Sequence, residues 1–386
     1  MNTTKIKDVC VVVSGTTPKS TEKRYWNGTH VWITPAELTE DSFIVSDSER
    51  HITDEAVKAT GLKPFPKGTV LLSSRAPIGK VAIAGCDMYC NQGFKNLICS
   101  DSIYNLYLYY FLKSKTEYLN SLGRGATFKE ISKGIVEDIT IPFPAYDEQI
   151  HIAKQLQKIT ELIALKKRQY RYLDDIIRSR FLELFGDPND VSILSLPGEK
   201  KSIEDVCDGI YGGGTPSKSH KEYYTGKIPW VTPKDMKTLS IDDSQNHINS
   251  EAIENSTAKL IPKRCVLMVI RSGILKHTLP VAINNVEVTI NQDMKAFVPS
   301  SLITPEYLLY TFKLMEKSIL SKVRGVTADN IEFSEFRKRR IVVPPIEVQT
   351  QFVDFALSID KSKMAVQKSL DELETLKKSL MQTYFG

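Results

Sequence analysis

Two kinds of hydrophobic spacing alternate along the chain. Residues 1–145 carry short apolar runs that suit strands: Val9-Cys10-Val11-Val12-Val13, Thr69-Val70-Leu71-Leu72 and Val81-Ala82-Ile83-Ala84, separated by Gly, Pro and Asn turns. A helical patch from Tyr104 to Leu122 interrupts them. After a proline-marked boundary at Ile141-Pro142-Phe143-Pro144, residues 149–185 contain neither Gly nor Pro. The same order returns in residues 187–345 and 349–385, with Val343-Pro344-Pro345 at the boundary. Phe185-Gly186 and Phe385-Gly386 close the long stretches, and a Gly after the last apolar residue is a helix stop.

Inside the long stretches the apolar positions follow a 4–3 spacing. In the first it selects Ile152, Leu156, Ile159, Ile163, Lys166, Tyr170, Leu173, Ile177, Arg180 and Leu184. In the second it selects Phe352, Ala356, Ile359, Lys363, Val366, Leu370, Leu373, Lys377 and Leu380. This heptad pattern predicts coiled-coil helices in segments 146–186 and 346–386, packed on one another along these seams. Two surface helices, each covering its own domain, are the less favoured reading.

The two halves are copies of one unit. Between Ser14–Leu38 and Gly212–Met236, nine of the 25 positions are identical at a shift of 198: Gly15, Thr17, Pro18, Lys23, Tyr25, Gly28, Trp32, Thr34 and Pro35. Further along, Val81-Ala82-Ile83 returns as Val281-Ala282-Ile283, Asn91-Gln92 as Asn291-Gln292, and Arg124-Gly125 as Arg324-Gly325. Ordered matches across a whole half indicate a duplicated unit. The chain is therefore expected to be α+β, with β-rich domains at 1–145 and 187–345 and a long helix after each.

Composition narrows the class. Of the 386 residues, 41% are hydrophobic and 25% charged, a globular mixture that excludes disorder. No stretch is apolar enough to span a membrane and no signal segment opens the chain, so a soluble cytoplasmic protein is expected. Six cysteines in so long a chain suit a reducing compartment better than a disulfide framework. A net charge of +5 permits a polyanionic partner without demanding one.

Catalytic machinery is missing from the sequence. There is no phosphate-binding G-x-x-x-x-G-K-[ST], no G-x-G-x-x-G after a strand, no G-x-S-x-G and no H-E-x-x-H. The six histidines are scattered and none is expected to recur at its repeat equivalent. Cys86 and Cys90 form a weak zinc signal that the second half lacks. No catalytic or metal-binding residue is assigned.

What recurs is polar, aromatic and glycine-rich, and falls in loops. Thr17, Lys19, Lys23 and Tyr25, with Thr215, Lys218, Lys221 and Tyr223, offer hydroxyl, ammonium and aromatic groups for phosphates, sugars and bases. Arg75 and Arg271 follow a strand-like run and can reach guanine bidentately, while the amides of Gln92 and Gln292 suit adenine. Lys80, Lys95, Arg124 and Thr127, and Lys276, Lys295, Arg324 and Thr327, complete two candidate binding faces. Trp32 and Trp230 read better as core than as contacts. Residues 1–145 hold 17 basic and 15 acidic groups, and 187–345 hold 21 and 19, so binding has to rest on base contacts or a local basic face. The run Arg337-Lys338-Arg339-Arg340 is the densest basic patch, as readily a solvated strand end as a phosphate clamp.

The Gly-x-Thr-Pro openings (Gly15–Pro18, Gly213–Pro216), the Trp-x-Thr-Pro steps, the Asn-Gln elements and the helix ends Phe181-Leu182-Glu183-Leu184-Phe185-Gly186-Asp187-Pro188 and Phe385-Gly386 together resemble the DNA-specificity subunit of type I restriction-modification systems. The resemblance covers essentially the whole chain. It implies two target-recognition domains, each reading half of a bipartite double-stranded DNA site. It also implies an antiparallel coiled coil that spaces them and docks two methyltransferase subunits, alongside two restriction/translocase subunits. S-adenosylmethionine, ATP and Mg would then belong to those partners and not to this chain. Ile152, Leu156, Ile159, Ile163, Leu173, Phe352, Ile359, Val366, Leu370 and Leu373 would form the partner-binding coil. A self-contained DNA enzyme with a degenerate site and a two-module binder of a non-nucleic ligand such as a glycan are the rivals.

Overall fold

The computed structural model describes residues 2–125, 129–190, 198–323 and 330–386. These divide into two units, Met1–Arg168 with Gln367–Gly386, and Gln169–Val366.

In the first unit a five-stranded sheet has the order Cys10–Val13, Asn96–Cys99, Val70–Leu72, Val81–Ala84, Ile44–Val45. Its neighbours are antiparallel except the last pair, which is parallel. A three-stranded sheet orders His51–Ile52, Trp26–Ile33 and Tyr89–Cys90. Thr3–Lys5 pairs with Thr140–Pro142. The central strands Val70–Leu72 and Val81–Ala84 are buried along their whole length, which is why they read as unbroken apolar runs and not as alternating ones. The expected helical patch is two helices, Asn105–Ser114 and Thr116–Ser121. The first packs on strands Val70–Leu72 and Val81–Ala84.

The second unit repeats this topology strand for strand. Its five-stranded sheet runs Cys207–Gly212, Met294–Pro299, Val266–Val269, Val281–Asn284, Ser240–Ile241, and its three-stranded sheet His247–Ile248, Ile228–Val231, Thr289–Ile290. One expectation is corrected by this alignment. His51 and His247 open equivalent strands at a local shift of 196, each with its Nε2 against the aspartate four residues back, Asp47 at 2.9 Å and Asp243 at 2.6 Å. Asp-Ser-x-x-His-Ile is thus a duplicated motif. In both copies its serine hydroxyl donates to the carbonyl two residues on, at 2.8 Å for Ser48 and 2.6 Å for Ser244.

The long helices span Tyr146–Phe185 and Ile346–Phe385. Every position selected by the 4–3 spacing is buried or half-buried, and most residues between them are exposed. The start of each helix is bolted to its own domain by a fully buried glutamine. Gln149 accepts from the Tyr104 amide at 2.9 Å and donates to the Ser102 and Pro144 carbonyls, both at 3.1 Å. Gln349 makes the equivalent bonds to Thr304, Leu302 and Pro344.

At the other end, each helix finishes in the unit built from the other repeat. In the first unit, residues 146–168 run antiparallel to 367–386, with Lys167 on Glu374 at 3.0 Å and the Tyr384 hydroxyl donating to Gln155 at 2.8 Å. Phe385 ends this segment against the rings of Tyr107 and Phe111, at 5.3 and 5.8 Å between centroids. In the second unit, Phe185 lies against Tyr307, Phe181 and Phe352 at 4.9, 4.9 and 5.6 Å. The seam lysine Lys363 is satisfied there by Asp174 at 2.5 Å and by the face of Tyr170 at 4.9 Å. Among the described residues no helix is long and apolar enough to cross a membrane.

Candidate nucleic-acid interface

The Gly-x-Thr-Pro loop is pressed onto the end of a strand in each unit. A Cβ on Gly15 would lie 1.7 Å from the Cys90 carbonyl oxygen, and one on Gly213 would lie 2.1 Å from that of Asn291. Only glycine permits so close an approach. From below, the indole N–H of Trp32 donates to the Thr16 carbonyl at 3.1 Å, and that of Trp230 to Gly214 at 3.0 Å. The far end of the first loop is held by the Trp26 indole, which donates to Lys19 at 3.2 Å; Tyr224 does the same to Pro216 at 2.7 Å in the second. Trp32 and Trp230 are therefore core residues whose polar edge fixes the loop above them.

The Thr-Pro after each tryptophan has a local explanation too. Thr34 and Glu37 form a capping box around a short turn, and Glu37 also accepts from the Glu49 amide at 2.8 Å. Asp235 takes the glutamate's place in the second unit, accepting from Thr232 and from the Gln245 amide at 2.9 Å.

On this support the threonine, exposed in the first unit and half-buried in the second, meets the exposed glutamine. Thr17 Oγ1 donates to Gln92 Oε1 at 2.7 Å, and Thr215 donates to Gln292 in the same way. Each glutamine projects from a turn stabilised by the asparagine before it: Asn91 Oδ1 accepts from the Gly93 amide at 2.8 Å, and Asn291 Oδ1 from that of Asp293 at 3.1 Å. Lys19 and Lys23, and Lys218, Lys221 and Lys276, are exposed, while Tyr25 is half-buried.

Beside the glutamine stands an arginine held by a carboxylate. Arg75 Nη1 lies 3.9 Å from Glu130, within a cleft of about 530 Å³ lined by Pro77, Asn120 and Lys129. Arg271 meets Asp293 through Nε at 2.7 Å and Nη2 at 2.6 Å. The carboxylates come from different elements, because position 93 is Gly where 293 is Asp. Lys295 sits 4.9 Å over the ring of Phe333. Arg124 is exposed and its backbone pairs with Glu130. Thr127, Arg324 and Thr327 lie outside the described residues.

Three expected surface contacts are placed elsewhere. The Lys80 ammonium donates to the Pro35 carbonyl at 3.2 Å and to that of Leu38, closing the Thr34 turn from inside. Lys95 is buried, its ammonium shared between Ser74 at 3.3 Å and Glu130 at 3.0 Å, so it steadies the arginine's partner. Tyr223 is core, packed with Trp230, Ile248 and Ala252 and covered by the His220 ring at 4.9 Å. Conversely, Glu130 and Asp293 were missed. Both lie near an expected basic residue, but acidic residues carry no DNA signal by themselves.

The basic run is partly spent inside the second unit. Arg337 lies 3.4 Å from Glu204, Arg339 donates to Ser318 at 2.9 Å, and Arg340 donates to the Lys200 carbonyl at 3.2 Å. Burial lowers the Arg339 affinity for its proton. Near the duplicated His-Asp loop, the Ser244 amide and then His247 hold the Asp243 carboxyl below its usual range. Among the described residues, no three His, Cys, Asp or Glu side chains are grouped to hold a metal ion.

Residues 1–173 and 197–375 match the family model described as the type I restriction modification DNA specificity domain. The chain is similar to the type I restriction enzyme MjaIX specificity subunit of Methanocaldococcus jannaschii, at 32% identity over 98% of this chain and 90% of that protein. It is 31% identical to the EcoR124I/EcoR124II specificity subunit of Escherichia coli, over 72% of this chain and 69% of that one. In fold it resembles the S subunit from M. genitalium, with a TM-score of 0.60 at 16% identity, covering 100% of this chain and 96% of that chain.

Proposed function

The chain belongs to the type I restriction-modification DNA specificity family, and from that premise we propose that it is the non-catalytic DNA-reading subunit of such a complex. Each unit reads one half of a bipartite double-stranded target through the loops that carry Thr17, Gln92 and Arg75 or Thr215, Gln292 and Arg271. The carrying observation is that the whole support of this face recurs in both units: the close-packed glycine, the tryptophan bolt and the threonine–glutamine pair. Lys19, Lys23, Lys218 and Lys221 supply phosphate contacts.

The long helices hold the two readers at a set spacing and dock two methyltransferase subunits, with two restriction/translocase subunits completing the complex. Exposed apolar side chains on the first helix support docking. Leu162 and Leu165 stand 39% and 55% exposed in the first unit, and Tyr172 and Ile176 58% and 44% in the second. Tyr172 and Ile176 border a groove of about 580 Å³ that also takes in Phe355. Exposed apolar residues in such a stripe fit a protein partner. S-adenosylmethionine, ATP and Mg act on the partners, which carry adenine methylation and ATP-driven cleavage.

The test is reconstitution. The chain with methyltransferase subunits and methyl donor should methylate adenines in one bipartite sequence, and exchanging residues 1–145 for those of a relative should change one half of it only. Methylation by the purified chain with methyl donor alone would show that this is an enzyme and refute the reading.

A further inference from the structure

In both units the exposed glutamine is gripped by a threonine from a distant stretch of chain, 75 residues away in the first and 77 in the second. The threonine itself has little freedom. Its loop is pinned by the Gly15 or Gly213 contact below and by a tryptophan N–H. A hydrogen bond between two side chains that both reach water adds little to stability. Its presence in both units, which share only nine of 25 residues here, therefore points to orientation as its role.

We infer that Thr17 and Thr215 are specificity-determining positioning residues, which hold the amide oxygens of Gln92 and Gln292 inward and present the Nε2 hydrogens to DNA. This rests on the DNA-reading function proposed above. A free glutamine can turn its amide either way, and pairs with adenine by using both ends. With the oxygen engaged by the threonine hydroxyl, the outward end is a pair of donors. The major-groove edge that offers two adjacent acceptors is guanine, through N7 and O6. Each unit is thereby set to read one guanine through its glutamine, beside whatever its acid-held arginine reads.

The experiment uses the full-length chain assembled with methyltransferase subunits and a randomised duplex pool, sequencing the bound fraction. Wild type should prefer guanine at one position of the half-site read by residues 1–145. Thr17→Val should flatten that preference by roughly tenfold and leave the other half-site unchanged. Thr17→Ser should restore it, and Gln92→Ala should lose it at the same position. Melting midpoints of all variants should match wild type. The inference is overturned if Thr17→Val keeps the wild-type preference, if Thr17→Val and Gln92→Ala affect different positions, if adenine is preferred there, or if Thr17→Val lowers the midpoint and weakens every sequence alike. A wild-type complex with no sequence preference would instead overturn the DNA-reading function, and this inference with it.

Discussion

Phe385 ends the helix Ile346–Phe385 that follows the second repeat, yet it completes the core of the first unit. Its ring is 2% exposed and meets Tyr107 and Phe111 edge-on. A buried Phe→Ala change costs about 3–5 kcal/mol, the aromatic contacts included. Phe385 sits in the last turn of its helix, where backbone can shift to shrink the hole, so the lower end applies to Phe385→Ala, about 3 kcal/mol. For a unit of this size each kcal/mol moves the melting midpoint by about 2–4 °C, so the first unit should melt about 6–12 °C lower. Phe185→Ala should do as much to the second unit, since Phe185 packs on three rings at 4.9, 4.9 and 5.6 Å. Calorimetry gives the midpoints, and hydrogen exchange assigns them. Phe385→Ala should deprotect Asn96–Cys99 and spare Met294–Pro299. If it leaves the first unit's midpoint within about 1 °C, or opens the second unit first, the crossed closure is wrong.

Residues 1–186 alone should dimerise weakly, the Phe185 end of one copy standing where Phe385 stands in the full chain; with methyltransferase partners this dimer should methylate an interrupted palindrome. Sedimentation showing only monomer at high concentration, with no palindromic methylation, would count against it. Lys363→Met should leave the second unit's stability within about 1 kcal/mol, because the aspartate left behind, Asp174, is 53% exposed and returns to water; a loss above about 3 kcal/mol on denaturant titration would contradict this. Lys5 and Lys7 hold Asp138 below its ordinary value of 3.8, and Ser202 does the same for Asp205. A depressed carboxyl stabilises above its unfolded value and loses that as pH falls through its folded one. The midpoint should therefore stay level down to about pH 5 and drop below about pH 4; a rise on acidification would reverse the sign. Arg75→Ala should cost about 1–3 kcal/mol of discrimination at one base position, and uniform weakening across sequences would make it a phosphate contact.

Several features were legible in the sequence because they are local or periodic. The duplication shows as ordered identities, and the 4–3 spacing marks the buried seam of both helices because side-chain direction in a helix follows sequence position alone. Gly15, Thr17, Trp32 and Gln92 could be singled out as a repeated set, since each recurs in its second-half counterpart. The His51–Asp47 pair escaped because its local shift is 196, and only the matched strands His51–Ile52 and His247–Ile248 bring the copies into line.

Which candidates reach solvent was decided by tertiary packing. Lys80 finds carbonyls 45 and 42 residues away, and Lys95 finds Glu130 35 residues away. A lysine in a loop looks the same in sequence whether it meets a phosphate or an internal acceptor. The same holds for the helix ends. Both long helices keep one register at a shift of 200 and end in Phe-Gly, so the sequence by itself determined that two such helices exist and which face each buries. It left open which domain each Phe enters. The antiparallel pairing places each end against the aromatic cluster of the other repeat, because a helix anchored to its own domain by Gln149 or Gln349 at its start can bury its far end only at the opposite end of its partner.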